Sequence, residues 1–115
     1  MKRSHKPIIW SLFAAGGTFT AFMIPVMILI TGLGVPLGLL PAQTLDYESV
    51  LAFVQHPLTR IALFGTIFLT VWHAAHRLRI TAHDFGIRAD RVVATIFYGL
   101  AAITTLVALV VLALI

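Results

Sequence analysis

The stretch RVVATIFYGLAAITTLVALVVLALI, Arg91–Ile115, carries no charge after its first residue. The hydrocarbon core of a bilayer is about 30 Å thick, so a helix needs roughly 20 mostly apolar residues to cross it. At 1.5 Å per residue this stretch makes a helix of roughly 36 Å. It reads as a membrane span. Working outward, the charge gaps repeat: none of Asp, Glu, Lys or Arg falls between Arg60 and Arg77, or between Lys6 and Asp46. The whole chain of 115 residues is 60% hydrophobic and 10% charged, against about 25% charged in a soluble domain. So small a chain lacks the polar surface to cover that much apolar area in water. The fold class is therefore an all-α membrane protein with three transmembrane helices, forming a single anchor domain over residues 1–115.

The spans are placed at about 8–31, 58–82 and 91–115, with a short interfacial helix at about 46–56. Pro7 suits a first helical turn, where a missing N–H costs nothing. Pro25 is expected to kink the first helix. Gly32, Gly34, Pro36, Gly38 and Pro41 then end it. A cleaved signal peptide would have an apolar region of only about 7–15 residues, shorter than the run from Ile8 to Ile30, which reads as retained. Asp46 is placed as the N-cap of the interfacial helix. Pro57 opens the second span, Gly86 stops it, and Asp90 is expected to cap the third.

The basic residues act as topology signals. Lys2, Arg3 and Lys6 precede the first span, and Arg77, Arg79, Arg88 and Arg91 flank the connection between the second and third. Arg60 stands alone on the other side, near Asp46 and Glu48. By the positive-inside rule the N-terminus is cytoplasmic and the C-terminus periplasmic. The net charge of +4 therefore marks orientation, and no nucleic-acid partner is expected. The absence of cysteine excludes disulfides, Cys-ligated zinc and Cys-held iron–sulfur clusters on this chain.

The polar end of the second span carries the chemistry. Trp72, His73, His76 and Arg77 follow a long apolar run, and residues three or four apart share a helix face. Ionisable groups at membrane depth are costly and mark functional positions. Guanidinium and imidazole both donate hydrogen bonds to a carbonyl oxygen, and imidazole exchanges a proton near neutral pH. A quinone head offers two carbonyls and a ring that stacks on aromatics. Trp10 lies at a similar depth on the first helix, where an aromatic-belt anchor is the plainer reading. For Arg79, Arg88 and Arg91 the plainer reading is snorkelling to lipid phosphate. Haem would need imidazoles from different helices at mid-membrane, and this chain alone has no such pair. No phosphate loop, HExxH or nucleophile elbow is present. A transporter component would need polar groups at mid-membrane, where only Thr66, Thr70, Thr104 and Thr105 stand. Ala14–Gly17 and Gly99–Ala102 allow close helix contact and suggest partners within the membrane.

The order and spacing of several segments resemble a known family. They are Lys2-Arg3-Ser4 with Pro7 and Trp10, Gly16-Gly17, Pro25–Leu29, Pro36–Leu39 with Pro41, Tyr47-Glu48 with Val50–Phe53, His76-Arg77 with His83-Asp84, and Phe97–Ile103. Together they resemble the D subunit of four-subunit fumarate reductases, nearly end to end. The resemblance implies a non-catalytic anchor subunit in the bacterial inner membrane. It implies a similar C subunit, a flavoprotein and an iron–sulfur protein as partners, and menaquinol as the electron donor for anaerobic fumarate reduction. It places Trp10 and Arg77, with His76 beside them, at the quinone site nearest the clusters, and it implies no haem. Departures from the family pattern fall at His73 and Arg79 and in the more basic His5-Lys6 arm. The alternatives are a purely structural anchor, or a succinate dehydrogenase-type anchor contributing to a haem b site.

Overall fold

The computed structural model describes residues 4–115; the basic Lys2 and Arg3 lie outside the described residues. Four α-helices form: α1 (Lys6–Ile28), α2 (Tyr47–Gln55), α3 (Pro57–Asp84) and α4 (Asp90–Leu114). Three are long and apolar enough to cross a membrane: Lys6–Gly34 with 29 residues, Pro57–Asp84 with 28 and Asp90–Leu114 with 25. Among the described residues no strand is present. The chain measures 54 × 29 × 27 Å, longer than the roughly 30 Å hydrocarbon core, so its ends reach beyond the hydrocarbon.

The first span continues past the expected end near residue 31. It runs through Pro25 as α-helix, then widens into a π-helical segment, Leu29–Gly34. The Thr31 hydroxyl donates to the Met27 carbonyl at 2.8 Å. The same bond to the carbonyl four residues back is made by Thr66, Thr95 and Thr105 within regular α-helix, so it accompanies the widening without explaining it. Gly32 and Gly34 add little to hold the turn. Val35 N–H then reaches back to the Ile30 carbonyl at 3.2 Å. The segment closes where Leu40 N–H bonds the Gly34 carbonyl at 2.9 Å and the Leu40 side chain packs on Gly34. A Cβ there would lie 2.9 Å from Leu40 Cδ1.

Asp46 holds the N-cap position of α2 with extended backbone, but its side chain makes no capping bond. His56 does cap: its Nδ1 accepts from Leu58 N–H at 3.3 Å, with Pro57 opening α3. The other end of α3 closes by a Schellman pattern, with Gly86 N–H to the His83 carbonyl at 2.9 Å and Ile87 N–H to the Ala82 carbonyl at 3.1 Å. This requires positive φ at the intervening residue, and Gly86 supplies it at +83°. Asp90 is the first residue of α4, not its cap, which is Ala89. Its carboxylate is taken by an arginine, as described below.

α1 and α4 each pack along α3, which therefore forms the middle of the bundle. Of the described apolar side chains only Ala75 and Ala101 are buried. In lipid the helices gain nothing from hiding leucine, so small residues mark their contacts while large apolar ones face outward.

Candidate functional site

The end of the bundle where α1 begins, α3 ends and α4 begins holds a cavity of about 220 Å³. Leu12 and Phe13 of α1, Trp72, His73 and His76 of α3, and Tyr98 of α4 are among the residues that line it. Its position follows from the antiparallel pairing of α1 with α3. Thr20 and Thr70 hydroxyls meet at 3.0 Å. Gly16 lies so close to α3 that a Cβ would stand 2.8 Å from the Leu69 carbonyl oxygen. At Gly17 a Cβ would stand 2.6 Å from His73 Cε1. The glycines bring the two backbones together and leave room for an imidazole between them.

The two histidines in this cleft are held differently. His73 stacks on Phe13 with centroids 4.4 Å apart and planes at 14°, and its Nδ1 lies 3.1 Å from the Phe13 carbonyl oxygen. A carbonyl only accepts, so Nδ1 carries the proton. His76 meets the edge of Phe13 at 4.7 Å, and its Nδ1 lies 2.8 Å from the Tyr98 hydroxyl. A hydroxyl both donates and accepts, so either tautomer of His76 satisfies this pair.

Tyr98 has two neighbours from α3 against its ring. Its ring stacks on Trp72 at 6.0 Å and 20°, and the Arg79 guanidinium lies 5.7 Å from its centroid. Trp72 Nε1 donates to the Thr105 hydroxyl at 3.0 Å, and that hydroxyl donates to the Ala101 carbonyl at 2.8 Å. Arg79 donates twice to Asp90, from Nε at 2.8 Å and from a terminal nitrogen at 2.6 Å. This revises the snorkelling expectation for Arg79: the next helix offers a carboxylate within reach, and a bidentate partner displaces a lipid phosphate. The bridge is open to water at both partners, so it contributes little stability.

The residues singled out by sequence divide into two groups. His76 lines the cavity, and His73 joins it. Trp10 and Arg77 do not: Trp10 is 69% exposed, and Arg77 is exposed. Among the described residues neither side chain takes part in a hydrogen bond, and Arg77 forms no ion pair. The α1–α3 pairing nevertheless sets them at one end of the bundle. Phe13 touches His73 and His76, so Trp10, one turn earlier, lies level with the last turns of α3. Sequence reasoning passed over Phe13 and Tyr98 as site residues. A phenol within an otherwise uncharged apolar helix needs a hydrogen-bond partner, and that was the available signal for Tyr98.

Among the described residues no group of three or more His, Cys, Asp or Glu is arranged to hold a metal ion. A quinone head fits the chemistry of the cleft, which is apolar and aromatic with a few convergent polar atoms. Complete small-molecule sites enclose about 300–1,000 Å³, and 220 Å³ is less. The cleft is therefore smaller than a complete small-molecule site.

Comparison with known proteins follows the same line. The family of fumarate reductase D subunits matches residues 1–113. The chain is 37% identical over 109 residues to the fumarate reductase D subunit of Vibrio parahaemolyticus, covering 95% of this chain and 87% of the relative. It is 43% identical over 103 residues to the protein of the same name from Mycobacterium bovis, covering 87% and 80%. Over 83 residues it is 46% identical to that of Photobacterium profundum, covering 72% and 69%.

Proposed function

The chain belongs to the family of fumarate reductase D subunits, and on that premise we propose that it anchors a quinol:fumarate reductase in the bacterial inner membrane and helps form its menaquinol oxidation site. Membership makes it a membrane component of a multi-subunit complex. The proposed partners are a flavoprotein, an iron–sulfur protein and a C subunit. The proposed orientation puts the start of α1 and the α3–α4 connection in the cytoplasm, where the basic residues Lys6, Arg77, Arg79, Arg88 and Arg91 gather.

One observation carries the reading: among the described residues the Arg77 and Trp10 side chains have no hydrogen-bond partner, and both stand at the bundle end that also holds the His76 cleft. Menaquinol supplies two electrons and two protons. The part of this chain is to bind and orient. Arg77 offers a charged donor fork to a ring oxygen. Trp10 offers an indole face and N–H, and His76 offers a ring nitrogen that gives or takes a proton. The apolar lining from Phe13, Leu12 and Trp72 keeps water from the ring. The iron–sulfur protein then receives the electrons, so catalysis at fumarate needs no residue of this chain.

Replacing Arg77 with Leu in the whole complex tests the proposal. Loss of a charge-assisted hydrogen bond predicts a fall in quinol-linked turnover of about 10- to 100-fold. Fumarate reduction driven by an artificial dye should be unchanged. Normal quinol turnover would make Arg77 a lipid anchor and this chain a structural component alone.

A further inference from the structure

The pair between His76 and Tyr98 joins the middle helix to α4 at the edge of the cleft. Its Nδ1–O separation is 2.8 Å, a full-strength hydrogen bond. Both residues line the cavity and are half-buried. Among the described residues Nε2 of His76 has no partner, so it is the nitrogen left for a ligand. The phenol ring stacks on Trp72 and lies under the Arg79 guanidinium. Trp72 is anchored in turn by Thr105, and Arg79 by Asp90. Swinging the His76 ring would break its bond to Tyr98, whose own ring contacts Trp72 and Arg79. Among the described residues Trp10 and Arg77 have no such support.

We propose, resting on the quinol-site reading above, that Tyr98 is a positioning residue whose hydroxyl holds His76 Nδ1 and so presents Nε2 to a ring oxygen of the quinol. The hydroxyl makes this work for both redox forms of the ligand. Toward a quinol O–H, Nε2 must accept, so Nδ1 carries hydrogen and donates to the Tyr98 oxygen. Toward a quinone C=O, Nε2 must donate, so Nδ1 is bare and accepts from the Tyr98 O–H. A carbonyl or a carboxylate in the place of Tyr98 would serve only the first. This is the difference between the two histidines: Nδ1 of His73 faces the Phe13 carbonyl and is fixed in one tautomer, whereas His76 is free to change. Among the described residues the other charged or titratable groups near this pair are His73, Arg77 and Arg79 on α3 and Asp90 on α4, bound to Arg79. α1 brings the Phe13 ring against His76, with Ile9 and Leu12 lining the same cavity.

The test uses the assembled four-subunit complex with ¹⁵N-imidazole-labelled histidine, the His76 signals being assigned from a His76→Gln variant. Without added quinone, Tyr98→Phe should move the His76 Nδ1 resonance away from its hydrogen-bonded position. It should also lower quinol-linked kcat/KM about 3- to 10-fold, the range for losing one neutral hydrogen bond, with dye-linked activity unchanged. If Tyr98→Phe fails to assemble, 3-fluorotyrosine at position 98 keeps the shape, alters the hydroxyl, and should still shift that resonance and change quinol-linked kcat/KM. An unmoved His76 resonance overturns the proposal. So does a moved resonance with wild-type quinol kinetics. Arg77→Leu separates the two readings. If it abolishes quinol turnover while Tyr98→Phe leaves turnover intact, only the role of Tyr98 fails; if neither variant matters, the quinol site itself fails.

Discussion

The two faces of α3 are built on opposite principles. Toward α1 the contact depends on missing side chains: Gly16 and Gly17 let α3 approach until a Cβ would strike the Leu69 carbonyl or the His73 ring. Toward α4 it depends on large side chains with polar tips, in the sequence Trp72, Tyr98, Arg79 and Asp90, with Thr105 receiving the indole N–H. The first face is close and unforgiving. The second is broader, and its hydrogen bonds can be removed one at a time. A helix inside a membrane cannot use hydrophobicity to choose its neighbour, and these are the two remaining means: van der Waals approach and polar pairing.

That contrast can be broken most severely at Gly16. In Gly16→Val the obstacle is backbone, at 2.8 Å, and backbone cannot rotate away. We expect α1 to separate from α3 and the complex to fail to assemble, measured as loss of the anchor subunits from purified membranes. Overpacking of this kind typically costs about 1–3 kcal/mol or more. Gly17→Ala faces a side chain at 2.6 Å and should be milder for assembly but displace His73. On the α4 face, Trp72→Phe removes one hydrogen bond and keeps most of the ring contact. It should cost about 1 kcal/mol, seen as a modest drop in the thermal midpoint of the complex. The smallest effect is expected for the hydroxyl pair on the α1 face. A double-mutant cycle with Thr20→Val and Thr70→Val should give a coupling of about 0.6 kcal/mol, the average for hydrogen bonds between helices in a bilayer. A coupling several times larger would mean that polar pairing, and not close approach, holds α1.

The spans were legible because they rest on composition alone: two charge-free windows of sufficient length, and a third between Arg60 and Arg77 that reaches it if a flanking arginine snorkels, need no knowledge of neighbours. The stop at Gly86 was legible for a similar reason, since positive φ is a local demand. What escaped was relational. Asp90 reads as a cap until α3 and α4 are placed side by side and Arg79 is found opposite. His56 reads as the end of the interfacial helix until its ring is seen bonding the Leu58 N–H as the cap of α3. Tyr98 sits 22 residues from its partner His76, on a different helix whose rotation about its axis no periodicity fixes. The π-helical widening at Leu29–Gly34 has no signal in the spacing of the apolar residues, which reads the same for an α-helix. Of the candidate site, the end of the bundle was legible from the positions of Trp10, His76 and Arg77. The split between an inward His76 and an outward Trp10 and Arg77 was not.

The middle position of α3 also bears on how the protein is made. Helices enter the bilayer in chain order, and α1 is already there when α3 arrives to meet it. α4 follows after the short Phe85–Ala89 connection and finds α3 immediately before it in the chain. With α1 and α4 each packed along α3, the main helix contacts form in the order of synthesis. The α3–α4 pairing closes across that short connection, whereas α1 meets α3 across 50 residues at Thr20–Thr70, so the larger loop-closure cost falls on the α1 face.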